Sequence, residues 1–224
     1  WYFYSNSAPW LPNRFHGKAV QEGQRKFMGT LWNTYAFFVL YANIDNFDAT
    51  KYTLEYDKLP VMDKWILSKL NRVVKEVCDN MDSFELGVAA GKIYDFIWDD
   101  YCDWYIELTK PRLNGDNEAA KESAQRVLLY VLVEILKLLH PFMPFITEEI
   151  WQSIPHEGDA LIAAKWPEYR EELAFKAEES HMESVMDAIR AIRNRRAEMN
   201  VPPSRKAALY VLSLIHISEP TRPI

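Results

Sequence analysis

The sequence lacks the features that most directly mark a membrane protein or a secreted protein. Only two cysteines occur in 224 residues, and Cys78 and Cys102 form no CxxC pair, so we expect buried free thiols in a reducing cytosol. No apolar run approaches the length that spans a membrane. Residues 1–4 are aromatic and carry no basic region typical of a signal peptide. We therefore expect a cytoplasmic chain that makes no membrane contact.

Catalytic signatures are missing as well. The five histidines are not paired at metal-ligand spacing, and the chain has no HExxH, GxSxG or Walker sequence. Carboxylates cluster at Asp99, Asp100 and Asp103, a pattern open to an acid–base pair or a cation site. A solvated helix face, or pairing with Lys and Arg of a neighbouring helix, explains such clusters more often. We therefore predict no catalytic residue, no metal site and no cofactor in this chain.

Apolar periodicity predicts an all-α protein. Residues 84–112 repeat apolar and aromatic side chains at a spacing of about 3.6 residues, which predicts a long central helix. We expect Ser83 to be its N-cap, and Pro111 with the turn Asn114-Gly115-Asp116 to end it. Residues 118–140 are apolar on nearly every face, so they predict the most buried helix. Further helices are predicted at 18–43, from Pro60 onward, from 147 and at 178–199, with a short strand at 207–212.

A local run of basic side chains is the sharpest polar signal, because the net charge of the chain is −6. Residues 187–206 carry many basic side chains against only Asp187 and Glu198. Arg suits phosphate oxygens, since its planar fork binds them through two hydrogen bonds. From composition alone, pairing with the many glutamates of the chain explains the run equally well. We name as the Arg cluster the residues Arg190, Arg193, Arg196, Arg205 and Lys206.

A second basic and aromatic combination lies on the first long predicted helix. Arg25 and Lys26 precede Trp32, Asn33 and Tyr35. Arg and aromatic side chains together can stack on, and hydrogen-bond to, the splayed bases of single-stranded RNA. The simpler interpretation is that most of these aromatics belong to the core.

Six longer strings follow one another along the chain. They are LWN (31–33), DKWILSKLN (63–71), YDFIWDDYCDWYIELTKPRL (94–113), HPFMPFITEEIW (140–151), KWP (165–167) and IRAIRNRRAEMNVPPSRK (189–206). In this order they resemble the valyl-tRNA synthetase family, and the resemblance covers about residues 60–211.

The two ends of the chain depart from this resemblance. Residues 1–60, which include WYFYSNSAPWLPNRF, look more like isoleucyl-tRNA synthetase; a chain joined at shared sequence and a natural enzyme of mixed character both explain this. Residues 212–224 look like translated sequencing-adapter read-through, and we expect them to pack poorly and to have no function.

The resemblance implies the anticodon-binding helical bundle of a class I aminoacyl-tRNA synthetase. Residues 1–17 would be the tail of the connection to the catalytic domain, with exposed aromatics. Residues 18–155 would form the bundle, and 156–211 a loop, the Arg-rich helix and the start of a C-terminal region. The parent enzyme, expected to be monomeric, would attach valine to its tRNA using ATP with Mg. Its catalytic domain with the HIGH and KMSKS signatures, and its editing domain, are not in this chain.

The resemblance also implies which residues bind tRNA. Arg25 aligns with a basic residue that precedes LWN in the family, and we expect it to face the anticodon loop. Trp32, Asn33 and Phe37 are expected to stack on bases or contact their edges, while the Arg cluster holds phosphates. Two alternatives stay open: the same domain of an isoleucine–tRNA ligase, and a helical protein-interaction scaffold without RNA affinity. Exposure of the clustered guanidinium groups favours the RNA binder.

Overall fold

The computed structural model describes residues 1–6, 10–12, 14–51, 54–202 and 204–206, and every regular element within these ranges is helical. The all-α prediction is therefore confirmed there, while the predicted strand at 207–212 and the adapter-like residues 212–224 lie outside the described residues. Two compact units, Trp1–Met182 and Glu183–Ile224, divide the chain, and the domain bounds expected from the sequence stay predictions.

Nine α-helices, two π-helical segments and four 3₁₀ turns make up the described chain. The α-helices are α1 (Tyr2–Asn6), α2 (Gly17–Gly23), α3 (Gly29–Ile44), α4 (Val61–Asp82), α5 (Leu86–Asp95), α6 (Glu107–Leu113), α7 (Glu118–Leu139), α8 (Pro144–Trp151) and α9 (Lys176–Glu198). The π segments are π1 (Gln24–Met28), between α2 and α3, and π2 (Phe96–Ile106), between α5 and α6. The 3₁₀ turns are Ala49–Lys51, Tyr56–Lys58, Leu161–Ala163 and Glu171–Leu173.

Helix α7 lies at the centre of the first unit. It packs against α3, α4, α5, α6 and α8, and eleven of its 22 residues are buried. The buried set includes Val127, Leu132 and Ile135 on different faces of the helix. The prediction that this helix is the most buried one is confirmed, because a helix that is apolar all round needs partners on every side.

The long helix predicted at 84–112 exists as α5, π2 and α6 in unbroken succession. Its predicted end at the 114–116 turn is confirmed, since α6 runs to Leu113 and Asn114 is its C-cap, but Pro111 lies inside α6 instead of ending it. The predicted N-cap is wrong. Ser83 does not cap α5; it ends α4 and donates from its Oγ to the carbonyl of Asp79 at 2.8 Å. The reason is a backbone turn after Ser83 in which Phe84 takes a φ of 59°, so the chain changes direction before α5 begins.

A buried ion pair joins α6, the last part of the long helix, to α4. Arg112 donates to both carboxylate oxygens of Asp63, at 2.8 and 2.6 Å, and the hydroxyl of Tyr105 donates to the same carboxylate at 2.8 Å. Burial opposes the charge of Arg112, but its contacts with Asp63 prevail and raise the pKa of the guanidinium. We call Asp63, Tyr105 and Arg112 the Asp63 network; it fixes α4 against π2 and α6.

The N-terminal segment contains a short helix, α1, that its irregular pattern did not predict. As expected for residues 1–17, several of its aromatics are exposed: Phe3 at 57%, Trp10 at 66% and Phe15 at 66%. Trp1 instead stacks on Phe27 with the ring centroids 4.3 Å apart, which fixes the start of the chain to π1.

The two cysteines are free, as predicted, but half-buried instead of buried. The Nε1 of Trp166 donates to Cys78 Sγ at 3.3 Å, and Cys102 Sγ lies 3.3 Å from Thr34 Oγ1. Burial raises the pKa of the Cys102 thiol, which keeps this side chain protonated at neutral pH. Among the helices that the structure describes, none combines the length and apolar character that crossing a bilayer requires.

Candidate nucleic-acid interface

The continuous stretch α2–π1–α3 carries four of the residues predicted to contact RNA. Arg25 and Asn33 are exposed, Trp32 is 45% exposed, and Phe37 is half-buried. The opposite side of α3 enters the core through a buried set that includes Phe38. The stretch therefore presents three of the four side chains to solvent on a helix that the bundle holds firmly.

The π1 segment positions Arg25. A π-helical turn holds more residues than an α-helical turn and often occurs at functional sites. Within it Phe27 is buried, with its ring centroid 5.2 Å from that of Tyr94. Lys26 pairs with Glu22 at 2.6 Å, and its hydrogen bond lowers the pKa of the Glu22 carboxyl. The buried ring thus anchors the turn that carries the exposed guanidinium.

Aromatic pairs run along α3. The ring of Trp32 lies 5.2 Å from that of Tyr35, and the ring of Phe37 lies 5.0 Å from that of Tyr41. The simpler interpretation, in which Trp32 and Tyr35 belong to the core, does not hold for the exposed Trp32, and Tyr35 is half-buried. An exposed indole beside a second ring offers a flat surface on which a base can stack.

Several side chains that no sequence motif indicates hold α3 in place. Thr34 contacts Cys102 of π2, and Gln125 of α7 donates to the carbonyl of Tyr41 at 3.2 Å. Lys121 of α7 lies 3.4 Å from Asp45, the C-cap of α3. These contacts join residues far apart in sequence, so periodicity alone gives no signal for them.

The Arg cluster belongs to the second unit. Arg190 pairs with Asp187 at 2.9 Å, three residues before it on the same helix. Arg196 donates to the carbonyls of Pro202 and Arg205, both at 2.7 Å. All members except the half-buried Arg196 are exposed. Because an exposed ion pair such as Arg190–Asp187 contributes little stability, this guanidinium can exchange its carboxylate for a phosphate.

Of the three carboxylates of π2, Asp100 is half-buried, whereas Asp99 and Asp103 are exposed. Asp100 lies 4.0 Å from Lys69 on α4, and burial raises the pKa of the Asp100 carboxyl. Pairing with a neighbouring helix, one of the interpretations of this cluster, is confirmed for Asp100. Across the described ranges, no group of three or more His, Cys, Asp or Glu residues is arranged to hold a metal ion.

A family model described as the anticodon-binding domain of tRNA ligase matches residues 63–211. The valine–tRNA ligase of Clostridium tetani is 46% identical over 210 residues, which are 94% of this chain and 23% of that protein. Those of Bacillus cereus and Enterococcus faecalis are 43% and 42% identical, over 92% and 94% of this chain. The chain thus spans about a quarter of the length of these curated relatives.

These matches confirm the resemblance to valyl-tRNA synthetase. A match over 94% of the chain includes most of residues 1–60, so similarity to valine–tRNA ligases extends into the segment that looks more like isoleucyl-tRNA synthetase. The closer isoleucyl likeness of that segment stays a prediction. The family match ends at residue 211, where the valyl resemblance was predicted to stop. Since it covers well over half of the sequence, the chain belongs to the anticodon-binding domain family of tRNA ligases.

Proposed function

We propose that this chain binds the anticodon stem and loop of valine tRNA as part of a valine–tRNA ligase, a cytoplasmic and monomeric enzyme that attaches valine to its tRNA using ATP. The observation that carries the proposal is the exposure of Arg25, Trp32 and Asn33 on one anchored helical stretch. The identity to valine–tRNA ligases over most of the chain supports valine as the amino acid.

The residues have separate tasks in this proposal. Trp32 stacks on an unpaired base, and Arg25 and Asn33 hydrogen-bond to base edges, which supply the specificity. Phe37 is half-buried and contributes an apolar wall. The Arg cluster holds phosphates and supplies most of the salt-dependent affinity. ATP and Mg serve the catalytic part of the parent enzyme, and RNA binding by this chain needs neither.

The test is binding of the 224-residue chain to valine and isoleucine tRNA transcripts, each also with its anticodon exchanged, across a salt series. We expect preference for the valine anticodon in either tRNA body. Arg25→Ala should weaken binding to the matched loop by about 1–3 kcal/mol and reduce the preference, because a base contact is lost. Lys26→Ala is the matched control, since Lys26 is a neighbouring exposed cation paired with Glu22.

The outcomes separate the alternatives. Preference for the isoleucine anticodon would assign the chain to an isoleucine–tRNA ligase. If Arg25→Ala loses the same affinity for matched and mismatched loops, Arg25 contacts a phosphate and does not read a base. Equal, weak binding of all four transcripts would mean that no anticodon reading takes place.

A helical protein-interaction scaffold is the second candidate, and one observation favours it. Leu40 and Ile44 are 56% and 63% exposed on the same helix as Trp32. Exposed aliphatic side chains close together on one helix suit a protein partner better than a nucleic acid. Absence of RNA binding at low salt, with a normally folded chain, would favour the scaffold.

A further inference from the structure

A cavity of about 770 Å³ lies in the first unit, away from the residues proposed to read the anticodon. Its walls come from the α3–α4 connection, the outer side of α7, the last residue of α8 and the segment 155–165. This volume is within the range of small-molecule sites, and neither the family match nor the anticodon proposal assigns it a role.

Aromatic rings line this cavity and are held in place. The ring of Trp151 is buried, and its centroid lies 4.6 Å from that of His156. On the other side, the guanidinium of Arg170 lies 5.8 Å from the centre of the Tyr56 ring and 5.7 Å from that of Tyr130. It also donates to the hydroxyl of Tyr130. One cation therefore fixes two of the rings that line the cavity.

The supports of these walls are themselves anchored. The backbone of Arg170 exchanges two hydrogen bonds with the side chain of Asn71 on α4, at 2.7 and 2.8 Å. Glu148 of α8 accepts from the backbone N–H of Leu161 at 3.0 Å, and Gln152 donates to the carbonyl of Asp159 at 2.7 Å. The walls are thus preorganised, which reduces the entropy that a ligand would otherwise lose on binding.

The charged side chains of the cavity are more often basic than acidic, in a chain whose net charge is −6. Arg126, Lys137 and Lys165 line it together with Glu134 and Glu157. Lys137 and Glu134 form an ion pair at 2.7 Å. Basic groups beside aromatic walls match a planar ring that carries an anionic group.

One ring nitrogen adds hydrogen-bonding capacity. His156 Nδ1 lies 2.8 Å from the carbonyl oxygen of Ile154; because a carbonyl only accepts, Nδ1 carries the hydrogen, and Nε2 of the neutral ring is an acceptor. A base with a hydrogen-bond donor on its edge therefore suits this side of the cavity.

We propose that this cavity binds a nucleotide, with the base against the Tyr56 and Tyr130 rings and the phosphate at Arg126 and Lys137. The nucleotide is either a free mononucleotide or an unstacked nucleotide of a bound RNA loop. The second source rests on the proposed tRNA function, and the first does not.

The experiment titrates adenosine, cytidine, guanosine and uridine 5′-monophosphates, and separately a valine anticodon stem-loop, into the 224-residue chain by isothermal titration calorimetry. Tyr130→Ala should weaken binding by roughly tenfold, since it removes a stacking ring. Tyr130→Phe keeps the ring and should retain most of the affinity. Lys137→Gln should weaken binding through the phosphate. Lys92→Gln, which removes a similar ion-paired lysine on α5, is the matched control.

The outcomes identify the source and test the proposal. Weaker mononucleotide binding in Tyr130→Ala and Lys137→Gln, with unchanged stem-loop affinity, supports a free nucleotide. Weaker stem-loop binding in the same variants supports the second source, in which an unstacked nucleotide of the bound RNA loop occupies the cavity. If both variants match Lys92→Gln toward every probe, the cavity is not a nucleotide site.

A Trp32→Ala variant separates this inference from the proposed function. It should weaken the stem-loop only, because Trp32 is not part of the cavity. If Trp32→Ala binds the stem-loop normally, the anticodon site on α3 is wrong, while a measured effect of the cavity variants on mononucleotides still stands.

Discussion

At the scale of single residues, Phe84 occupies a position that L-amino acids with large side chains rarely take. Its φ is 59°, and the N–H groups of Phe84 and Glu85 bond back to the carbonyls of Met81 and Asn80 at 3.0 and 2.8 Å. The same turn ends α3 at Asn46 and α9 at Asn200, with the residue type that best tolerates this conformation after glycine. Phe84 is 79% exposed, so little packing compensates for its strain.

Phe84→Gly should therefore raise the free energy of unfolding by about 1 kcal/mol, because glycine adopts a positive φ without a Cβ clash. Urea unfolding followed by circular dichroism measures the change. Phe84→Ala removes the ring but keeps the Cβ, so its free energy of unfolding should rise far less than that of Phe84→Gly. Equal effects of the two substitutions would show that the backbone conformation is not the source of the strain.

At the scale of helices, the Asp63 network joins α4 to π2 and α6. Asp63 is fully buried, and its carboxylate receives hydrogen bonds from Tyr105 of π2 and from Arg112 of α6. A buried charge is costly unless it is paired. Asp63 therefore has to stay paired in the folded chain, which holds α4 against π2 and α6.

Arg112→Met should lower the free energy of unfolding by about 3–5 kcal/mol, since it leaves the buried Asp63 carboxylate without its cation. The comparison is Lys110→Met on the same helix, where an exposed pair with Glu107 contributes about 0–1 kcal/mol. Thermal or urea unfolding of both variants gives the two values. A loss in Arg112→Met no larger than in Lys110→Met would contradict the structural role assigned to the network.

At the scale of the whole molecule, positive charge is concentrated in one stretch of a chain whose net charge is negative. The chain has a net charge of −6, yet residues 187–206 concentrate exposed basic side chains. Attraction of RNA must come from such local patches, because the total charge repels it. We therefore expect association to be fast only at low salt.

Arg193→Gln should lower the slope of log affinity against log salt concentration by about 0.7 to 1, the amount associated with one phosphate contact. It should not change the ratio between matched and mismatched anticodons. Lys75→Gln, an exposed lysine paired with Asp79 on α4, is the control and should leave the slope unchanged. A changed anticodon preference in Arg193→Gln would assign base reading to the Arg cluster.

The sequence could predict elements whose signal is periodic or local. The helical class, the centrality of residues 118–140 and the long helix near 84–112 all follow from apolar spacing, which a helix must satisfy along its whole length. Exposure of Arg25 and Asn33 agrees with their polar character. The family resemblance came from long ordered strings such as HPFMPFITEEIW, which single-residue patterns cannot supply.

Tertiary structure decided what depends on contacts between distant residues. Ser83 ends one helix instead of starting the next, because the turn at Phe84 changes the direction of the chain. The cavity beside α7 arises only when residues near 50, 130 and 160 come together. By itself, therefore, the sequence determined the helices and the family, whereas packing determined the start of the long helix, the Asp63 network and the cavity, since these depend on neighbours that no local pattern encodes.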